Sequence, residues 1–413
     1  MSQDRTTALP PDLVPGAAWG EPPRDTYPGL VAPFRPLFAR IRAQAVEREI
    51  ARALPFDAID WLRDAGFTAV RVPRDYGGLG LDLPAFFELL IELSEADSNL
   101  TQALRAHFGF VEHALGSPAA RRDTWLARLA KGDIVGGAWS ETGDARQAQF
   151  GTRLTRGADG WRLNGTKFYT TGSLYADWIH VGATDAEDAY VSVTIDRRAP
   201  GVEVIDDWDG MGQRLTASGT SHFRDVPVDE REIVSRPPFD YSEAFYQLVH
   251  LATLAGIARA AVNDAAAQVA ARRRSYSHAP AARPAEDAQV LQVLGRARAQ
   301  AWAAGAAVAQ SARALERATQ AAGRDDAQAA IAEAELDIWQ AQTVVIELAL
   351  DATGAVFDAL GASATLRSNG LDRYWRNART LASHNPRIYR ERIVGDFAVN
   401  GTWPQGQWRI GVV

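Results

Sequence analysis

The stretch "RYWRNARTLASHNP", residues 373 to 386, carries cations and aromatics into His384, and no carboxylate falls between Asp372 and Glu391. An imidazole there can hold or pass a proton near neutral pH, whereas removal of a carbon-bound proton needs an ionised base that this segment lacks. A loop histidine can equally be a surface hydrogen-bonding residue, and both roles stand open. Arg373, Arg376 and Arg379 recur every third residue, one stripe of a helix, which fits a solvated or ion-paired face.

Two other stretches end strands in small and hydroxyl-bearing residues. "GGAWSETGDARQAQ", residues 136 to 149, has Trp139 and Ser140 at its tip, and "KFYTTG", residues 167 to 172, adds Tyr169, Thr170 and Thr171. Side by side, such tips offer hydroxyls and amides to a flat polar heterocycle with an aromatic ring against its face. Cross-strand pairing of the same residues is the plainer alternative. Arg272, Arg273 and Arg274 close a long helical segment, where they either complement the helix dipole or clamp a phosphate.

Several chemistries are excluded. The glycines of "DGMGQRLTASGT" do not follow a strand and open a helix, so no Rossmann or P-loop nucleotide wrap is present. There is no cysteine, and the seven histidines show no H-x-x-x-H or H-E-x-x-H spacing, so no metal site is expected. With 44 basic and 51 acidic residues the net charge is −7, spread without a basic block, and nucleic acid is not an expected partner. No uninterrupted apolar run approaches 18 residues and the amino terminus lacks a signal-peptide layout, so a soluble, cytoplasmic protein without membrane contact is expected. Only two methionines, Met1 and Met211, accompany the absent cysteine. Such parsimony suits a protein made when sulfur is scarce, although alanine-rich coding gives the same result.

The elements that must position these residues follow from periodicity. Residues 1–30 are rich in Pro and Gly and are expected as an extended arm. Residues 31–132 are helical, with apolar stripes at Leu54, Ile59, Trp61 and Leu62 and at Phe86, Phe87, Leu89, Leu90, Ile91 and Leu93. From 133 to 236 the period becomes two, in short runs such as "GTRLTR", "DWIHVGAT" and "AYVSVTID", with Asn164-Gly165 as a tight-turn signal. From 237 to 413 alanine-rich helices return near 241–275, 286–320 and 327–360, with apolar faces broad enough for burial on several sides. The expected fold class is α+β: an N-terminal helical domain, a central β-barrel or sandwich domain, and a C-terminal four-helix bundle that also makes the oligomer contact.

This layout resembles the acyl-CoA dehydrogenase fold. "WDGMGQRLTASGTSHFRDVPV" (208–228) and "LDRYWRNARTLASHNP" (371–386) are similar to the flavin-dependent monooxygenases of that fold, the branch of dibenzothiophene and dimethyl-sulfone monooxygenases, and the resemblance spans about residues 34 to 413. It implies that Trp139, Ser140, Tyr169, Thr170 and Thr171 line a flavin ring, with Arg272 and Arg274 at its phosphate. The dehydrogenases continue into an Arg-x-x-Phe-Gly pattern that helps hold the ADP half of FAD. Here "RRRSYSHAP" departs from it, so FMN is expected before FAD.

The dehydrogenase glutamate base aligns with Asn385, and its alternative place on the first bundle helix aligns near Tyr246. Neither residue can act as that base. The monooxygenase branch instead implies reduced FMN from a separate NAD(P)H-dependent flavin reductase and oxygen transfer through a C4a-hydroperoxide. His384, Thr171 and His107 are its implied catalytic residues, His384 as proton donor or hydrogen-bonder and Thr171 as positioner. Gln102, Ala106 and Leu381 stand where the dibenzothiophene enzymes carry a His, a Tyr and a second His, which implies a rebuilt substrate pocket. The expected activity is oxygenation of a small organosulfur compound, a sulfone or relative, in sulfur assimilation by a homotetramer. Amine N-hydroxylase or aromatic hydroxylase chemistry, and an FAD-dependent acyl-CoA dehydrogenase, are the alternatives.

Overall fold

The computed structural model describes residues 19–142, 150–235 and 239–404. Most of the expected arm, residues 143–149 of the first strand tip, and the junction at 236–237 lie outside that description.

The N-terminal part folds as α1 (Tyr27–Val31), α2 (Arg35–Ala51), α3 (Phe56–Asp64), α4 (Leu83–Ala103), α5 (Arg105–Leu115) and α6 (Ala119–Ala130). Trp19 and Tyr27 are buried in the helical core and α1 lies within the arm, so its last third is not extended. Two aromatic side chains there have more to gain from burial than the prolines cost. Helix α4 starts where Asp82 Oδ1 accepts a hydrogen bond from Ala85 N at 2.9 Å and Pro84 sits in the first turn. Its helical geometry is interrupted at Asp97 (φ −160°, ψ 107°).

The middle part comprises β1 (Val135–Ala138), β2 (Arg153–Gly157), β3 (Gly160–Lys167), β4 (Trp178–Thr184), β5 (Tyr190–Asp196), β6 (Val202–Val204), β7 (Ser221–Val228) and β8 (Ile233–Val234). They form one mixed sheet in the order β6-β7-β3-β2-β4-β5-β8, with β1 parallel to β4. Leu163, Ile179, Val181, Val193, Phe223 and Val226 alternate inward to make its core. Asn164-Gly165 is not a turn. It lies inside β3 at a shift of register against β7, where Asn164 Oδ1 accepts from Asp225 N at 2.8 Å. A Cβ on Gly165 would come within 2.4 Å of Thr152 Oγ1, so the glycine permits a close approach and the pair serves a bulge. The β2–β3 hairpin turns instead between Gly157 and Gly160.

The C-terminal part consists of α7 (Ser242–Ala271), α8 (Ala288–Gln320), α9 (Ala327–Leu360), α10 (Asp372–Ala382) and α11 (Arg387–Asn400). Helix α7 is apolar on every side because α4, α8 and α9 all pack on it. Phe86 of α4 and Phe245 of α7 stack at 5.9 Å with ring planes 8° apart. An 18-residue window of α7 has the length and composition to cross a membrane, yet 94% of it is buried inside this bundle. The helical, mixed-sheet and helical parts together make the α+β arrangement.

Candidate active site

The two strand tips are held together by a buried ion pair. Phe168 N donates to Ser140 O at 2.9 Å, joining the tips directly. Beneath them Lys167, fully buried, donates from Nζ to Glu141 Oε1 at 2.7 Å, and the same carboxylate accepts from Thr152 N, Thr152 Oγ1 and Gly151 N. Burial pushes the Lys167 ammonium down to about 8 against the pull of Glu141. Burial would raise Glu141, but the bonds from Lys167 and Thr152 outweigh it and hold the carboxyl below its ordinary range. Glu141 therefore clasps the tip, a role its position beside Ser140 did not announce.

The second tip is zipped to the loop before β7. Thr170 N donates to Gly219 O at 2.9 Å and Gly172 N to Thr216 O at 3.0 Å. Thr170 is fully buried, with its hydroxyl spent on Gly219 O and Ser221 Oγ, so that side chain ties the tip to the loop before β7. Thr171, half-buried, pairs with Ser218 Oγ at 2.7 Å, which in turn meets Thr216 Oγ1 at 2.6 Å. Ser140 and Tyr169 are exposed, and Tyr169 takes a left-handed φ of 56° with its ring edge toward Trp208. Gly172 (φ 79°) rests so tightly on Ala103 that a Cβ would lie 2.0 Å from Ala103 O. Gly172→Ala should therefore destabilise the protein by about 1–3 kcal/mol, read by urea unfolding, and displace Thr171.

The junction of α4 and α5 is the hub of the site. Ala103 supports one tip, and Ala106 meets Gly137 below the other, where a glycine Cβ would come within 2.9 Å of it. A small cleft, partly open to solvent, is lined by Ala106, Gly109, Gly137, Trp139, Phe239 and Tyr246 together with the imidazoles of His113 and His180. Gln102 is buried beside this space with no partner for its Oε1. Arg105 donates from Nε to Tyr246 O at 3.2 Å and lies 4.6 Å from that tyrosine's ring centre.

One turn beyond Tyr246 on α7, on the same face, stands His250. It is buried, neither ring nitrogen has a hydrogen-bond partner, and its ring centre is 4.4 Å from that of His384. His384 is exposed at the surface of a crowded cleft; the surrounding protein, then the Arg105 charge, pushes it down to about 4 against a bond to Asn385. His250 is lowered further by the same two causes, burial first. Both imidazoles are thereby held neutral at pH 7, which leaves each a neutral N–H and a lone pair to offer. Asn385 donates from Nδ2 to Gln247 Oε1 at 2.8 Å, and its carbonyl accepts from Gln342 Nε2 at 3.0 Å, which fixes the loop on α7 and α9.

Four expected site residues lie elsewhere in role or place. His107 is fully buried, with Nε2 bonded to Thr68 O at 2.8 Å and Nδ1 accepting from Val135 N at 3.3 Å. Both nitrogens serve backbone, so it is a structural histidine. Burial lowers it to about 4, and the sign follows: its neutral form is required by the fold, so stability held above pH 6.5 is lost as pH falls toward 4. Between pH 7 and 5 this one residue should cost about 2 kcal/mol, measured by urea unfolding at the two pH values, with a shallower loss in His107→Gln. Leu381 is buried in the helical core. Arg272 and Arg274 stand at the far end of α7, and Arg272 is 22 residues beyond His250, about 33 Å at 1.5 Å per residue. Arg272 donates to Ser363 Oγ at 2.7 Å, and neither arginine is brought to the tips of the same chain.

The two segments that carried the resemblance clamp one another. Gln213 N donates to Asn377 Oδ1 at 2.6 Å, and both side-chain amides reach Ser98 Oγ just past the interruption of α4. Arg376 donates to Met211 O at 2.7 Å and to Glu49 at 2.9 Å, and Arg373 pairs with Asp264 at 3.2 Å. Within the stripe Arg373 is buried and Arg376 largely so, so it is an ion-paired face and not a solvated one.

Helices before and after a mixed sheet, hydroxyl-bearing strand tips and a histidine loop folded onto the bundle define the three-domain flavoprotein architecture. Residues 37–133, 138–226 and 248–386 match the models for the N-terminal, middle and C-terminal domains of acyl-CoA dehydrogenase, and the chain belongs to that family. It is 29% identical over 392 residues to a dibenzothiophene monooxygenase of Mycolicibacterium goodii, covering 90% of this chain and 93% of that one. It is 28% identical over 408 residues to a probable FMNH2-dependent monooxygenase, SfnC, of Pseudomonas putida, covering 93% and 97%. FMN-bound TdsC from Paenibacillus sp. A11-2 superposes with a TM-score of 0.84 at 27% identity, over 91% of this chain and 98% of that one.

Proposed function

We propose that the protein is an FMNH2-dependent monooxygenase that oxygenates a small organosulfur compound. The observation that carries this is the identity of the groups in the cleft. At the two places where a dehydrogenase of this family holds its base stand Asn385, hydrogen-bonded to Gln247, and Tyr246, beneath Arg105, while neutral His384 and His250 supply the polar groups. The nearby carboxylate, Glu243, faces Arg390 at 3.7 Å.

The donor set fits FMN: exposed Ser140 and half-buried Thr171 present neutral hydroxyls to the polar edge of a flat ring, and Tyr169 offers an aromatic face. Bound in its reduced form, FMN supplies the two electrons with which O2 is activated for transfer of one oxygen atom. Thr171, held by Ser218, positions a hydroxyl toward the ring, and His384 holds a hydrogen bond on the substrate side. Trp139, Phe239 and Gly137 give the cleft apolar walls beside the buried imidazoles of His113 and His180. Arg272 and Arg274 serve a flavin phosphate from a second copy of the chain, consistent with exposed Leu291, Trp302 and Val344 on α8 and α9 as part of a homotetramer contact. The reduced flavin comes from a separate NAD(P)H-dependent reductase in the cytoplasm, and scarce sulfur in the chain itself suits a role in sulfur assimilation.

The test supplies purified protein with FMN, NADH and a generic flavin reductase, and screens sulfones, sulfinates, thiophenes and amines under 18O2. Incorporation of one labelled oxygen into an organosulfur product is expected, at sulfur for a sulfinate or a thiophene and at the adjacent carbon, with loss of the C–S bond, for a sulfone, with FMN preferred to FAD. Bleaching of bound FAD by an acyl-CoA with no reductase present would instead establish a dehydrogenase.

A further inference from the structure

The sheet turns one polar ring toward the cleft. Along β4 the residues Ile179, Val181 and Ala183 enter the sheet core, so His180, between them, faces the other way, against Phe110 and His113 of α5. Its neighbour in register on β1 is Gly137, which has no side chain to cover it, and His180 lines the cleft with Gly137, Trp139 and Tyr246. Its ring centre is 5.2 Å from that of Trp139 and 5.1 Å from that of His113. The imidazole is 7% exposed, and burial, then His113 and Arg121, keeps it well below its ordinary value. At neutral pH one of its nitrogens therefore carries hydrogen and the other a lone pair.

Which nitrogen carries the hydrogen follows from two bonds in series. Arg121 Nη2 donates to Thr194 Oγ1 at 3.3 Å, and a guanidinium can only donate. Thr194 is buried as the cross-strand partner of His180 on β5, and among the described residues His180 Nδ1, at 3.2 Å, is the one acceptor beside its hydroxyl. A buried hydroxyl hydrogen without an acceptor is costly, so it goes to Nδ1. Nε2 then holds the ring hydrogen, and among the described residues no group accepts it.

We propose that His180 is a specificity-determining residue whose Nε2–H donates a hydrogen bond to an oxygen that the substrate already carries, and that Thr194 is the positioning residue that fixes its tautomer. This rests on the oxygenation proposed above only for the nature of the ligand. A substrate with an acceptor oxygen leaves no donor stranded when water is displaced from the cleft, whereas a plain thioether of the same shape strands it. The apolar surfaces of Phe110, Trp139 and Phe239 then hold the hydrocarbon part.

The experiment is calorimetric titration of the full chain saturated with oxidised FMN, without reductase or NADH, against tetrahydrothiophene and tetrahydrothiophene 1-oxide, which differ by one acceptor oxygen. The readout is the ratio of the oxide's affinity to the sulfide's, in which a general change of cleft shape cancels. His180→Phe should lower that ratio about fivefold or more and Thr194→Val about threefold, while Thr194→Ser, which keeps the hydroxyl, should stay within about twofold of wild type. If His180→Phe fails to fold, the two Thr194 variants decide. The proposal is overturned if the wild type does not bind the oxide, if His180→Phe leaves the ratio unchanged, or if Thr194→Val and Thr194→Ser change it alike. Turnover does not enter this readout, so absent oxygenation with the expected ratios would overturn the monooxygenase assignment and leave the hydrogen bond standing.

Discussion

His384→Ala should lower the rate of substrate oxygenation by about 10²–10³-fold while oxygen and NADH are still consumed, with hydrogen peroxide as the released product. The imidazole stands on the loop between α10 and α11, 4.4 Å from His250, and the loop is pinned through Asn385 to Gln247 and Gln342. Removing the side chain therefore removes a positioned hydrogen-bonding group and leaves its support in place. Because burial and Arg105 hold His384 down at about 4, its neutral form prevails from pH 5 upward. The wild-type kcat/KM should be flat with respect to this group above pH 5 and fall as pH drops through about 4. A midpoint near 6.5 that vanishes in the variant would refute the assignment of a neutral imidazole. Peroxide yield and labelled product, measured together, separate lost oxygen transfer from lost flavin binding.

Lys167→Met should lower unfolding stability by about 3–5 kcal/mol, because it strands Glu141 in the protein with a charge and no cation. The pair is short, Lys167 is fully buried beneath the tips, and its ammonium also lies 3.6 Å from the Phe150 ring centre. Adding Glu141→Gln to Lys167→Met should restore part of the loss, since the amide carries no charge and can still accept from Thr152 or Gly151. A double variant less stable than the single one in urea unfolding would show that the clasp works through something other than paired charge. Both variants should also weaken FMN binding, because Ser140 and Phe168 are joined directly above the pair.

The long bundle helices, the strands of the middle domain and both tips were legible, since each depends on local periodicity and on hydroxyls placed at strand ends. The absent glutamate likewise pointed toward the FMNH2-dependent monooxygenases to which the chain is similar. What could not be seen depends on distant partners. His250 sits within an unbroken apolar helix and has no local mark of function until His384, 134 residues later, is folded against it. Glu141 finds Lys167 across 26 residues, and the backbone acceptor that makes His107 structural is Thr68, 39 residues away. Asn164-Gly165 carries a true local preference for positive φ, but the bulge in β3 uses that preference as well as a turn would.

The clamp of Ser98, Gln213 and Asn377 bears on the order in which the molecule is made. Ser98 and Asn377 are 279 residues apart, and Glu49 and Arg376, in the same clamp, 327. Contacts of such long range close last, after the loops between them have been ordered. A nascent chain can complete its first helices and its sheet while it still lacks the imidazole loop, which α10 delivers only when the carboxyl-terminal segment has left the ribosome. The histidine loop therefore joins the rest of the cleft only after α10 has been made.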